Sequence, residues 1–458
     1  MPEASTCWST GSAGEIMPEE QVVHADLTWI ADTENGGGRF EEGVAVVIDS
    51  AGCITDVRPA AGGATLRLKD QALLPGFVNA HSHAFQRGLR GRGESFPGGR
   101  GSFWTWREAM YGLVEQLDHD RFAALTRQAF GEMRASGITT VGEFHYLHHS
   151  PDDRDFAFDE IVLAAAREVG IRIVLLETCY LAGGVDRPLA GGQRRFDAIS
   201  RDHFLAQLDH LAGLCDGDLA RLGVVAHSLR AVPPETAAEL YREARARDLV
   251  FHVHVEEQRA EIEEVEGRYG RRPLPLLLDS LGSAEGVTAV HCTHSLASDL
   301  ELFLDAGGRV CICPLTEANL GDGIADLPAM LAPSDAVCLG TDSNARISIW
   351  EEMRWLEYVQ RLAGERRGVM LSPDGDCAGR LFGAATRHGA LALGLDAGEI
   401  ATGKAADLMA IDLSHASLAG WNSDTLLASA VFGSDTTIVT ATSVGGRWES
   451  IASRVGSG

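Results

Sequence analysis

The chain has 458 residues, 45% of them hydrophobic and 23% charged, enough to bury a large core and too many for one small domain. Its net charge of −26 argues against nucleic acid or an anionic membrane as partner, and an anionic substrate would need positive charge gathered locally. No apolar run reaches the length of about 18 residues that a membrane span requires.

In chain order, residues 1–20 carry neither a basic segment nor an apolar one, so no signal peptide is read. A cytoplasmic location and a disordered extension are expected, and Met17, which opens a second "MPEE", is an alternative start. Residues 21–74 ("HADLTWI", "GVAVVIDSAGCITDVR", "ATLRLKD") alternate apolar and polar positions between glycine turns, which predicts antiparallel strands. From residue 75 the pattern changes. Short β-rich runs recur at "GFVNAHSH" (76–83), "ITTVGEFHY" (138–146), "IRIVLLET" (171–178) and "LGVVAHS" (222–228). They continue at "LVFHVHVEE" (249–257), "VTAVHCTH" (287–294), "GRVCICP" (308–314) and "AVCLGTDS" (336–343). Helical patterns such as "RFAALTRQAFGEMRAS" (121–136) and "PETAAELYREARARD" (234–248) lie between them. The runs are apolar on both faces, as parallel strands covered on both sides must be. Eight such units predict an α/β fold, a (β/α)8 TIM-type barrel over residues 75–395. A Rossmann sheet is the rival, but no G-x-G-x-x-G follows a strand. Residues 396–458 return to β alternation in "GKAADLMAIDL" and "TTIVTATSVGGRWES", so the N- and C-terminal segments are expected to pair into one small β-sandwich.

Polar residues end almost every barrel run: His81, His83, His145, His227, His254, His291 and Asp342. In a barrel that end carries the chemistry. Side chains alternate along a strand, so His81 and His83 share a face, as do His252 and His254. With Asp342, three imidazoles and a carboxylate suit Zn²⁺ and leave a position for water. Other clusters have blander readings. "HYLHH" (His145, His148, His149) is read as a polar loop at the barrel mouth, with no partner carboxylate to complete a metal site. Glu256 gives H-x-E with His254, the opening of the cytidine-deaminase signature, but no P-C-x-x-C follows. The nine cysteines suit reduced, buried thiols, and Cys311 and Cys313 of "VCICP" suit core packing.

The strand-end pattern resembles the amidohydrolase superfamily, with H-x-H after the first strand, histidine after the fifth and sixth, and aspartate after the eighth. The resemblance spans essentially the whole chain and implies His81, His83, His254 and Asp342 as metal ligands. It also implies Glu257 and His291 as acid–base groups, with Asp342 helping to deprotonate or orient the water. Binuclear members use a lysine at a barrel strand end. Here Lys69 and Lys404 are the only lysines and both fall outside the barrel, so one Zn²⁺ per subunit is implied. The H-x-x-E spacing of His254 to Glu257 likewise belongs to mononuclear deaminases.

Within the superfamily, "NAHSHAFQRGLRG", "SFWTWREAMY", "EFHYLHH", "HSLRAV", "TEANLGDGI" and "EEMRWLEYVQRL" resemble the N-formimino-L-glutamate deiminases of histidine degradation. The implied reaction is hydrolytic deimination to N-formyl-L-glutamate and ammonia, by attack of metal-bound hydroxide on the formimino carbon. For a dicarboxylate substrate the matching positions offer Gln86, Arg107, Tyr146 and Arg230, with His227 and Ser228 completing the pocket. A homodimer is also implied. Arg87, Arg90 and Arg92 are read as a solvated loop, and a cation–π role beside Trp104 and Trp106 competes for Arg107. Two rivals stand. One is a mononuclear deaminase or chlorohydrolase acting on a purine, triazine or pterin ring. The other is a metal-free binding protein on a degenerate barrel, disfavoured because every ligand and both acid–base residues are present.

Overall fold

The computed structural model describes residues 20–32, 37–96, 99, 101, 103–215, 217, 219–333 and 335–451. The extension expected at the N-terminus lies, but for Glu20, outside these residues. Eight strands form a parallel sheet in chain order: Phe77–Ser82, Ile138–His145, Arg172–Cys179, Ala220–Ala226, Phe251–Val255, Val287–His291, Arg309–Ile312 and Val337–Leu339. We call them barrel strands one to eight. An isolated parallel bridge between Ser82 and Asp342 brings the last strand back to the first and nearly closes the barrel. Strands two and three are buried along their whole length, which is why no polar alternation is visible in them. Ala80, Val290, Cys311, Cys313 and Cys338 meet across the barrel in one cluster, so the "VCICP" thiols are core packing as expected.

The expected helices start where their caps lie. Asp118 accepts from the Arg121 N–H at 2.9 Å and opens His119–Ala135, while Pro234 sits in the first turn of Pro234–Ala246. A further helix, Phe103–Gln116, follows barrel strand one.

The remaining strands make one eight-stranded mixed sheet from both ends of the chain. Leu66–Pro75 is its seam, pairing parallel with Glu20–Asp32 and antiparallel with Leu408–Asp412. Buried Arg172 of barrel strand three fastens this sheet to the barrel, its Nε and Nη2 donating to Asp407 at 2.6 and 3.0 Å. Among the described residues seven cysteines are free thiols, five of them buried. Cys53 is disulfide-bonded, which departs from the expectation of reduced thiols throughout.

Candidate active site

Barrel strand one is irregular where it matters. Its register against strand two slips between Asn79 and Ser82, and the Asn79 amide exchanges hydrogen bonds with Thr341 at 2.7 and 2.9 Å. That clamp, with the Ser82–Asp342 bridge, sets the histidine pair against Asp342. His81 Nε2 and His83 Nε2 lie 3.4 and 3.3 Å from Asp342 Oδ1, and His254 Nε2 lies 3.2 Å from His81 Nε2. The distal nitrogens of two rings are held by carbonyls: His83 Nδ1 on Phe144 O at 2.7 Å, His254 Nδ1 on His227 O at 3.1 Å. Such bonds fix the tautomer and leave the Nε2 lone pairs converging, as metal-binding imidazoles require. Burial lowers the pKa of His81, His83 and His254, with neighbouring imidazoles adding to it, and His83 falls to about 3. For Asp342 burial acts upward, but the hydrogen bond and charge of His81 outweigh it and hold the carboxyl below its usual range. Neutral imidazoles and an ionised carboxylate are the donor set a divalent cation fits. His252, the other candidate in "FHVHV", instead turns its Nε2 to Ala392 O at 2.9 Å.

His291 stands beside this group, with Nε2 3.8 Å from Asp342 Oδ2 and Nδ1 3.4 Å from Glu317 Oε1. Glu317 is held by the Cys313 N–H at 3.0 Å and so orients the ring. Burial lowers the His291 pKa, yet the charges of Glu257, Asp342 and Glu317 raise it to about 10. Glu257 is half-buried at the cavity, and desolvation raises its pKa against the pull of His291. Glu256 points elsewhere, accepting from Arg272 at 3.1 Å and the Leu274 N–H at 3.2 Å, so its charge is used outside the site. Glu256, His291 and Asp342 have φ of 52°, 74° and 44°, so backbone strain collects where these strands end.

The cluster opens into a cavity. Gln86, Arg107, Tyr146, His227 and Arg230 all line it, with His83, His254, Glu257, His291 and Asp342 at its base. Gln86 Nε2 donates to Tyr146 Oη at 2.6 Å. The Arg230 Nε is buried with no hydrogen-bond partner among the described residues. Arg107 Nε donates to Tyr111 Oη at 2.6 Å and its guanidinium lies 5.4 Å from the centre of that ring. Ser228 is not part of the wall; it is buried and bonds His227 Nδ1 at 3.2 Å. Arg87 and Arg90 both pair with Glu132, and Arg92 is exposed, so none of the three reaches the cavity. The reading of "HYLHH" needs correction: His145 and His148 are buried against a carboxylate, Asp159.

A family model described as "Amidohydrolase family" matches residues 72–448. The chain belongs to the amidohydrolase family. This amidohydrolase is 37% identical over 408 residues to a formimidoylglutamate deiminase of Pseudomonas aeruginosa, covering 88% of this chain and 89% of the relative. It is 31% identical over 414 residues to a 5-methylthioadenosine/S-adenosylhomocysteine deaminase of Natronomonas pharaonis, covering 89% and 84%. Among solved structures, an amidohydrolase from Brucella melitensis superposes with a TM-score of 0.81 at 30% identity, covering 94% of each chain.

Several lining residues of this amidohydrolase escape a reading based on strand ends. Phe103, Trp106, Arg107, Met110 and Tyr111 come from one helix and face the cavity together, and Tyr180 and Phe196 close its far side. Spacings of three, four, seven and eight residues are the helical signal that "SFWTWREAMY" contained.

Proposed function

We propose that the cavity binds one zinc ion through His81, His83, His254 and Asp342 and hydrolyses N-formimino-L-glutamate to N-formyl-L-glutamate and ammonia. The observation that carries this reading is a pair of guanidinium groups, Arg107 and Arg230, lining the cavity that the histidine cluster floors. A glutamate derivative brings two carboxylates, and guanidinium forks bind carboxylates in paired, charge-assisted bonds. In a chain of net charge −26, this is the local positive charge an anionic substrate needs. Tyr146 accepts from Gln86 and so keeps its own proton to donate to a ligand oxygen. The 37% identity to a formimidoylglutamate deiminase supports the same substrate.

When bound, a divalent metal in such a site supplies hydroxide at neutral pH by lowering the pKa of its water to about 7. Asp342, the ionised carboxylate, would take the proton of that water, and His291, protonated by its raised pKa and held by Glu317, would donate a hydrogen bond that orients its oxygen. Glu257, whose raised pKa favours carrying a proton, delivers it to the terminal formimino nitrogen as the carbon is attacked. Glu257, now ionised, takes the proton of the newly added hydroxyl and passes it to the same nitrogen, which leaves as ammonia while the carbonyl of N-formyl-L-glutamate forms. The relative acting on S-adenosylhomocysteine supports a second reading, deamination of a heterocyclic ring, but such a ring does not call for Arg107, Tyr146 and Arg230 together.

Product analysis tests the proposal. N-Formimino-L-glutamate should give ammonia and N-formyl-L-glutamate in equal amounts. Glutamate with formamide would contradict it, because that outcome needs the proton delivered to the other nitrogen.

A further inference from the structure

A second group of metal-binding side chains is buried between barrel strands two and three and the helices covering them. His145 pairs in register with Glu177 on the neighbouring strand, so both side chains leave the sheet on one side. Asp159 reaches them from the first turn of the helix Ala157–Val169, and His148 from the loop between. His145 Nε2 and His148 Nδ1 lie 2.9 and 3.0 Å from Asp159 Oδ1, and His148 Nδ1 lies 3.4 Å from Glu177 Oε1. His145, His148 and Asp159 each offer a ligand atom within 4.8 Å of the others. All four residues are at most 1% exposed.

Hydrogen bonds leave this group unfinished. Asp159 is served, since its Oδ1 faces both imidazoles and its Oδ2 accepts from Gln207 Nε2 at 2.8 Å. Neither oxygen of Glu177 has a hydrogen-bond partner among the described residues. A buried carboxylate without a partner is strongly destabilising. His148 Nε2 sits 2.8 Å from Thr178 O and donates to it, which in a neutral ring leaves a lone pair on Nδ1, aimed at both carboxylates. A carbonyl behind the ring is the usual support of a metal-bound histidine.

We propose that His145, His148, Asp159 and Glu177 form a closed structural site for one divalent transition-metal ion, separate from the active-site cluster. Two imidazoles and two carboxylates favour zinc, and four protein donors leave no position for water, the mark of a structural rather than catalytic site. Bonds of about 2.0–2.2 Å in a tetrahedron put ligand atoms roughly 3.3–3.6 Å apart. The contacts of His145 and His148 with Asp159, at 2.9 and 3.0 Å, would therefore open by a few tenths of an ångström. The Glu177 carboxylate, 3.4 Å from His148 Nδ1, would swing toward the other three to complete the set. A dication balances the two carboxylates while both imidazoles stay neutral. The ion would clip the loop 146–156 to the barrel wall immediately beside Tyr146, whose hydroxyl lines the active-site cavity. The competing arrangement is a proton on Glu177, whose pKa burial and Asp159 push well above the usual range.

The test is anomalous diffraction at the zinc edge on crystals of the full chain produced with zinc, together with metal content by mass spectrometry. Two zinc ions per chain are expected, one peak at each cluster, with Glu177→Gln reduced to the active-site ion alone. A single peak at the His81–Asp342 cluster in the wild-type protein would overturn the proposal and leave a proton-sharing network. A single peak at the His145–Glu177 cluster would instead uphold it and sink the metal reading of the active site. The wild-type map decides the matter whether or not Glu177→Gln folds.

Discussion

Glu257 and Glu256 are adjacent carboxylates with opposite fates. One faces the cavity; the other is spent on Arg272 and the N-terminus of the helix Pro273–Leu281. Glu257→Gln keeps the size of the side chain and the metal ligands but cannot carry a proton. Turnover is expected to fall by about 10²–10⁴, with zinc content unchanged. Near-normal kcat at full metal content would remove Glu257 from proton transfer. The cluster proposed to hold the metal was legible in the sequence because strand alternation and strand-end position bring His81, His83 and Asp342 forward, and the family resemblance chose His254 over His252. Glu317, which orients His291, was not, because its role rests on a contact between a strand end and the helix Pro314–Leu320 that no local pattern encodes. The carboxylates Asp159 and Glu177 were missed for the same reason: each is distant in sequence from the histidines it meets.

Among the elements, the barrel strands were readable from their two-faced apolar runs, and the N- and C-terminal segments from their alternation. The helix Phe103–Gln116 was not read as an element, because it was taken for its Arg107 alone, although its apolar residues recur at helical spacing. The junction between barrel and mixed sheet was equally invisible, since Arg172 and Asp407 are 235 residues apart. Asp407 also accepts from the Gly445 N–H and the Thr140 hydroxyl, so one carboxylate ties three segments together. Arg172→Ala leaves that carboxylate buried without its ion-pair partner among the described residues. A loss of about 3–5 kcal/mol in unfolding free energy is expected, as for other broken buried pairs. Denaturant titration measures it, and a loss below about 1 kcal/mol would mean water reaches Asp407 freely.

For the whole molecule, pH acts through buried carboxyls as well as through the surface charge. Glu143 of barrel strand two is 1% exposed; burial raises its pKa from 4.5 to about 8, against the Ala84 N–H and the Ser82 hydroxyl. Its folded pKa exceeds its unfolded one, so its contribution is present in full below about 4.5 and lost as pH rises through about 8. Glu143→Gln removes that titration. The melting temperature of the variant relative to the wild type should therefore rise between about pH 5 and pH 9, and a constant difference would contradict the shift.

The central claim, that a metal-floored cavity with two guanidinium groups selects a formimino dicarboxylate, is most directly tested by kcat/KM for N-formimino-L-glutamate against S-adenosylhomocysteine, guanine and cytosine on zinc-loaded protein. A site built to pair buried polar groups with a substrate rejects ligands lacking them by roughly 10⁴–10⁵, so N-formimino-L-glutamate should be preferred by about that factor. Deamination of any of the ring substrates at a comparable or higher kcat/KM would contradict the account.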